Sequence, residues 1–95
     1  MDFQYQEGRI FALDQAGQLL AEVTFPARDG IATIDHTYVS ETLRGQGVAG
    51  RLVQAAVDQI RQRGLRPAAT CSYAQLWLKR HPEYTDRSGS DQDDA

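Results

Sequence analysis

The chain has 95 residues, of which 41% are apolar and one is tryptophan, so it can bury one modest core and is predicted to form a single domain. Its formal net charge of −3 argues against the broad basic surface that binds nucleic acid. It has no apolar run near the roughly 18 residues of a membrane span and no signal-peptide pattern at its start, so we expect it in the cytoplasm.

Three strands are predicted in the N-terminal half. Apolar residues alternate over 9–13 and again over 19–25, and the turn-forming residues 14–18 between them predict a β-hairpin. Pro26 ends the second strand because proline has no backbone N–H to donate. Residues 31–39 predict a third strand, whose two-residue period assigns to one face Ala32, Ile34, His36 and Tyr38.

The C-terminal half is predicted to form a helix, a strand and a second, shorter helix. Apolar residues recur with helical spacing from Ala49 to Ile60, and Gly64 ends this amphipathic helix. Residues 66–71 fit a strand that returns parallel to the third strand through a crossover, and residues 72–80 fit a short helix.

Together these elements predict an α/β fold with a mixed, mostly antiparallel sheet of about four strands, a βαβ crossover helix and a short C-terminal helix. Ser72 is the expected N-cap of that last helix, because its hydroxyl can accept a hydrogen bond from a backbone N–H. The folded domain is expected over residues 1–86, and the polar, acidic residues 87–95 are predicted to be a disordered tail.

A glycine-rich segment, residues 44–50, precedes the first helix and is called the cradle below. Glycines let backbone approach a ligand closely, and the first N–H groups of a helix lack intrahelical partners, so a phosphate can satisfy several of them. An ordinary glycine-rich turn is the alternative interpretation. The predicted phosphate-binding residues are Arg44, Gly45, Gln46, Gly47, Val48, Ala49, Gly50 and Arg51.

Two other phosphate-binding patterns do not fit this segment. The cradle glycines have the spacing of a dinucleotide-binding fingerprint, but five residues separate them from the preceding strand, and no acidic residue occurs between Asp58 and Glu83. The Walker A pattern is absent because neither Gly-Lys-Ser nor Gly-Lys-Thr occurs.

The motif Arg44-x-x-Gly47-x-Ala49, after a hairpin and a strand, resembles the pyrophosphate-binding motif Gln/Arg-x-x-Gly-x-Gly/Ala of the GCN5-related N-acetyltransferases. Residues 36–39 and 71–73 further resemble the very short, single-domain YjdJ-like or NATD1-like subgroup of that superfamily. The resemblance covers about residues 9–84, which is most of the predicted domain.

This resemblance implies that the domain binds acetyl-CoA or coenzyme A. Main-chain groups near Tyr38 and Val39 would pair with the pantetheine arm, while the cradle N–H groups would hold the pyrophosphate. The arm would pass through a splayed gap between the third strand and the strand that ends at Cys71. The acceptor side would be open, or completed by a partner chain such as a second copy, because 95 residues leave no space for the N-terminal strand and helix pair of larger members.

Acetyl transfer to an amine needs a base for the amine and a proton for the leaving thiolate. His36 is the first candidate base and Glu41 the second. Cys71 lies where a helix is predicted to begin, a setting that lowers the pKa of a thiol and permits a covalent route. Tyr73 would donate a proton to the leaving thiolate, as the resemblance implies for a tyrosine at this place. The structural alternatives are a packed histidine, a cysteine that only fills space, and a tyrosine hydroxyl that reaches out from the core.

Cys71 is the only cysteine, so an internal disulfide is impossible, and no cluster of residues has the spacing of metal ligands. The sequence favours an acetyl-CoA-dependent N-acetyltransferase that acts on an amine. A non-catalytic acyl-CoA-binding or protein-interaction module is the main alternative, and a nucleotide-binding regulator is the third.

Overall fold

The computed structural model describes residues 2–84, so the tail predicted over 87–95 lies outside the described residues. Two short 3₁₀ turns, Glu41–Leu43 and Pro82–Tyr84, accompany seven strands and two helices in these residues. In chain order these are β1 (Gln4–Gln6), β2 (Arg9–Leu13), β3 (Leu19–Thr24), β4 (Ala27–Arg28), β5 (Ile31–Ile34), β6 (His36–Val39), α1 (Val48–Gln62), β7 (Arg66–Ala69) and α2 (Ser72–Arg80).

The strands form two hydrogen-bonded groups. The first has the order β1-β2-β3-β6 and is antiparallel throughout, and the second has the order β4-β5-β7, in which β5 and β7 are parallel. The predicted hairpin is the β2–β3 pair, and the predicted crossover is the connection from β5 through α1 to β7. The mixed α/β class expected from the sequence is confirmed, with more and shorter strands than predicted.

The predicted third strand is divided at Asp35, which separates β5 from β6. The antiparallel register shifts by one residue between the pairs Thr24↔His36 and Ala27↔Ala32, as it does at a β-bulge. The Asp35 N–H donates to Thr24 O at 3.2 Å, and the Thr24 hydroxyl contacts the Asp35 carboxylate. A bulge bends a strand. Before the bulge β5 pairs with β7, and after it β6 pairs with β3.

The prediction that four residues of the third strand share one face was wrong, because the bulge changes the alternation. Ala32 and Ile34 are fully buried, but His36 and Tyr38 are exposed, while the side chain of Thr37 is partly buried. One additional residue at position 35 shifts the alternation of side chains, so the apolar pair and the polar pair lie on opposite faces.

Both helices pack on one face of the strands. The amphipathic helix α1 buries Leu52, Val53 and Ile60 in the same cluster as Ile10 and Ile34, and α2 adds Ala74, Trp77 and Leu78 to it. As predicted, α1 ends before Gly64, which has a φ of +74° that favours glycine. The expected N-cap of α2 was wrong by one residue: Cys71 holds that position in an extended conformation. Within residues 2–84, neither helix is long and apolar enough to cross a membrane.

Candidate active site

A V-shaped gap opens between β6 and the chain that leaves β7. The parallel pairing of β5 with β7 ends at Ile34 and Ala69. The carbonyl of Ile34 then accepts hydrogen bonds from the N–H groups of both Thr70, at 3.0 Å, and Cys71, at 3.2 Å. Beyond this point β6 pairs with β3, and the other chain turns into α2. The geometry agrees with the splayed gap that the resemblance implied, with Cys71 at its vertex.

The cradle lies where the chain passes from β6 to α1. Gly45 and Gly47 have φ values of +82° and +75°, a region that L side chains rarely adopt. Gly47 is the N-cap of α1, and no side chain of the described residues caps this helix end. The first intrahelical hydrogen bond runs from Arg51 N to Gly47 O at 3.2 Å, so the N–H groups of the three preceding helical residues point out of the helix end.

A cleft of about 240 Å³ joins the cradle to the gap. It is lined by Val39, Leu43, Tyr73 and most of the predicted cradle residues. The Tyr73 hydroxyl lies 3.4 Å from the position that a Cβ on Gly50 would occupy, so the tyrosine side chain crosses the first turn of α1. The structure therefore brings together Val39, the cradle and Tyr73. Leu43 was not identified from the sequence, because only the fold places its side chain against this cleft.

Arg44 lines this cleft, and Arg51 lies one position beyond the cradle in the first turn of α1. Arg44 and Arg51 form no ion pair with any described residue, so their charges remain available to an anion. Arg51 lines a shallow adjoining cleft of about 380 Å³, together with Phe3, Tyr5 and Gln54. The unpaired N–H groups of α1, the glycine backbone of the cradle and the two arginine side chains can all interact with the oxygens of a diphosphate. The side-chain amide of Gln46 donates instead to Thr42 O at 3.3 Å, within the loop itself.

The thiol of Cys71 is held by the N-terminus of α2 and by one side chain of β6. Its Sγ lies 3.6 Å from the Thr37 hydroxyl oxygen. Burial raises the pKa of the Cys71 thiol, but hydrogen bonds from the backbone N–H of Ala74, the Thr37 hydroxyl and the N–H groups of Tyr73 and Thr37 outweigh it. The net effect is a pKa below the ordinary value, which favours the nucleophilic thiolate. Thr37 was not identified from the sequence, because its contact with Cys71 joins residues 34 positions apart in the chain.

His36 does not contact the thiol. Its side chain lies on the face opposite Thr37, is 53% exposed, and has its Nε2 atom 3.4 Å from Oε1 of Glu22. Tyr38 shares this outer face, so its backbone rather than its side chain borders the gap. Glu41 is exposed in the 3₁₀ turn before the cradle. Of the predicted catalytic residues, the structure brings Cys71 and Tyr73 to one side of β6 and leaves His36 on the other.

Comparison with known proteins agrees with this architecture. The family model described as GCN5-related N-acetyl-transferase matches residues 9–87. The chain is 37% identical over 59 residues to Protein NATD1 of Bos taurus, and 36% identical over 59 residues to that of Homo sapiens. These matches cover 60% of this chain and 52% of each relative, so the chain spans about half the length of these curated relatives.

Solved structures show the same fold. A GCN5-like protein from Staphylococcus aureus, determined by NMR, is 35% identical with a TM-score of 0.72, covering 90% of this chain and 84% of that one. The GNAT family protein YhbS from Escherichia coli, crystallised in complex with CoA, has a TM-score of 0.57 at 22% identity. That match covers 77% of this chain and 47% of YhbS. Since the family model spans most of the chain, this protein belongs to the GCN5-related N-acetyltransferase family.

Proposed function

We propose that the chain is an acetyl-CoA-dependent N-acetyltransferase that moves an acetyl group to an amine by way of Cys71. The observation that carries this proposal is the position of the thiol. It lies at the vertex of a gap that leads to an anion-binding cradle, and hydrogen bonds favour its thiolate form. A ligand with a diphosphate at one end and a thioester at the other matches this arrangement.

The cradle supports binding of the diphosphate of coenzyme A. The N–H groups of Val48, Ala49 and Gly50 precede the first intrahelical bond and would donate to its oxygens, with charge support from Arg44 and Arg51. The pantetheine arm would lie along β6, which is an edge strand on the side of the gap, so some of its backbone groups face the arm. Tyr38 and Val39 are the residues proposed to supply these backbone contacts.

Acetyl-CoA supplies an activated thioester. The Cys71 thiolate attacks the carbonyl carbon, an S-acetyl bond to the protein forms, and the bond to the coenzyme A sulfur breaks. The Tyr73 hydroxyl donates a proton to the departing sulfur. The acceptor ammonium gives one proton to His36, and the resulting amine attacks the S-acetyl carbon. As the amide forms, nitrogen returns a second proton to Tyr73, and Cys71 leaves as thiolate.

A non-catalytic acyl-CoA-binding module is the second candidate. The observation that favours it is the placement of His36 on the opposite face of β6 from Thr37 and Cys71. In that case the cradle and gap would hold the ligand, and no side chain would take a proton from an acceptor.

Mass spectrometry of the intact protein after incubation with acetyl-CoA distinguishes these candidates. The covalent transferase gains one acetyl group that peptide mapping assigns to Cys71 and that an added amine removes. Cys71→Ala should lose the adduct and keep the thermal shift caused by coenzyme A, while Ser72→Ala, a change next to the thiol, should keep both. A thermal shift without adduct or transfer supports the module. If coenzyme A causes no shift, the proposal fails at the level of the ligand, since about 2.7 kcal/mol of stabilisation is expected at 100 times the Kd.

A further inference from the structure

The outer face of the first group of strands carries a cluster of polar and aromatic side chains beside His36. Cross-strand register places Phe11, Glu22 and Tyr38 in one row across β2, β3 and β6, and Arg9, Thr24 and His36 in the next. Neither helix packs on this face, because both contribute to the core cluster on the other side. The face is therefore open to an acceptor.

Glu22 occupies the centre of this cluster and uses both carboxylate oxygens. Its side chain is only 17% exposed. Oε2 accepts a hydrogen bond from Arg9 Nε at 2.5 Å, and Oε1 lies 3.4 Å from His36 Nε2. Arg9 is itself held over the Phe11 ring, with 3.9 Å between its guanidinium carbon and the ring centroid. A carboxylate fixed in this way restricts the orientations of the neighbouring imidazole.

The orientation of the imidazole has a chemical consequence. A neutral histidine carries its proton on one ring nitrogen and a lone pair on the other, and a carboxylate near one nitrogen favours the proton there. With Nε2 facing Glu22, the lone pair is on Nδ1, and the half-exposed ring presents it to whatever binds on this face. When Nδ1 accepts a proton, the Nε2 side of the ring still faces the Glu22 carboxylate.

We propose that Glu22 is a positioning residue that orients His36 to accept the proton of the acceptor amine on this open face. The inference rests on the proposed function and assigns the acceptor to the face opposite the helices. The amine N–H bond breaks, the proton moves to Nδ1 of His36, and the nitrogen lone pair becomes available to the acyl carbon. His36 and Thr37 are consecutive, and Thr37 contacts the Cys71 thiol, so the base and the nucleophile flank one short segment of edge strand.

Two probe amines separate this role from a structural one. At neutral pH n-butylamine is protonated and needs a base, whereas hydroxylamine is already neutral. Each is supplied with acetyl-CoA, and the acetylated product is quantified. We expect Glu22→Gln to lower transfer to n-butylamine about tenfold and His36→Gln about a hundredfold, in the range of general base catalysis. Both variants should keep hydroxylamine transfer within about threefold of the unsubstituted protein, because that reaction does not use the base.

Arg63→Met is the matched control, since it removes the ion pair of a different carboxylate, Glu7, and leaves the contacts of Glu22 and His36 in place. It should keep both rates within about threefold of the unsubstituted protein. The inference is overturned if Glu22→Gln keeps n-butylamine transfer, if it lowers both rates equally, or if Arg63→Met reproduces its effect. A protein that binds acetyl-CoA but acetylates neither amine also overturns it. Absence of acetyl-CoA binding, read as a missing thermal shift, would instead contradict the proposed function itself.

Discussion

The hydroxyl of Thr37 is one of the groups that lower the pKa of the Cys71 thiol. Its oxygen lies 3.6 Å from the sulfur, and its O–H donates a hydrogen bond to the thiolate, so Thr37 contributes to the lowered pKa of Cys71. Thiolate is the reactive form, so the alkylation rate of Cys71 should rise with pH and level off, with a midpoint below the ordinary thiol pKa of 9.0. Thr37→Val should move this midpoint upward. A lost hydrogen bond worth about 0.7 kcal/mol slows alkylation at neutral pH about threefold.

The rate of reaction with iodoacetamide, followed by mass spectrometry from acidic to alkaline pH, measures this midpoint. Thr33→Val is the control, because it makes the same chemical change on β5, and Thr33 is not among the groups that hydrogen-bond the thiol. An unchanged midpoint in Thr37→Val would mean that the N-terminus of α2 alone stabilises the thiolate.

At the scale of single contacts, the sequence predicted what local pattern determines and missed what distant strands bring together. The cradle and Cys71 were predicted from glycine spacing and a helix start, which are local signals, and Tyr73 was predicted from the family resemblance. The contacts Thr37–Cys71 and Glu22–His36 join residues on different strands, and the bulge at Asp35 decides which side chains can make them. No local pattern determines the position of that bulge, which depends on the pairing of β3 and β4 with the same strand.

Among the secondary-structure elements, strongly periodic segments were predicted well. The β2–β3 hairpin and α1 have apolar periods that match their burial, and Gly64 ends α1 by its left-handed backbone. The short strand β1 was missed because its sequence, Gln-Tyr-Gln, has no apolar alternation, and its three residues are all exposed. It becomes a strand through pairing with β2, which is a tertiary effect.

A substitution at the start of α1 tests whether the backbone conformation of the cradle is needed for ligand binding. Gly47 has a φ of +75° and open space around the position of a Cβ, so Gly47→Ala meets backbone strain and no clash. We expect a loss of about 1–2 kcal/mol in the free energy of unfolding, because alanine is strained in the left-handed region. The displaced backbone should also weaken coenzyme A binding, measured by calorimetry, by about tenfold, as for a loss of about 1.4 kcal/mol.

Gly17→Ala provides the matched comparison. Gly17 has a φ of +85° and equally open surroundings, but it lies in the hairpin turn between β2 and β3. It should cost similar stability in chemical denaturation and leave coenzyme A affinity unchanged. Equal loss of affinity in both variants would show that general destabilisation, and not the cradle, controls binding.

The molecule as a whole has a small core, so single core residues carry a large share of its stability. Leu52 is fully buried between α1 and the strands. Leu52→Ala should lower the free energy of unfolding by about 2–5 kcal/mol, against a total of about 5–15 kcal/mol for a typical domain. Leu76→Ala, at a side chain that is 45% exposed on α2, should change it by about 0.5 kcal/mol or less.

Thermal unfolding of the two leucine variants, with and without coenzyme A, measures these changes in stability. A ligand that binds only the folded state stabilises it, so coenzyme A, if it binds as proposed, should raise the melting temperature of Leu52→Ala as well as that of the unsubstituted protein. A similar stability for the two leucine variants would contradict the single core.

The bulge at Asp35 has a consequence for the entry of any ligand. Without its one additional residue, the register of the antiparallel strands would be continuous, and the segment from Ile31 to Val39 would form one regular strand that keeps His36 and Thr37 on their present faces. Such a strand could continue to pair with the chain beyond Ala69 along its full length. Its backbone groups would then be occupied by a neighbouring strand, and a thioester would have no passage to the sulfur. In this protein the opening between β6 and the chain after β7 lies directly beside the one additional residue of the strand.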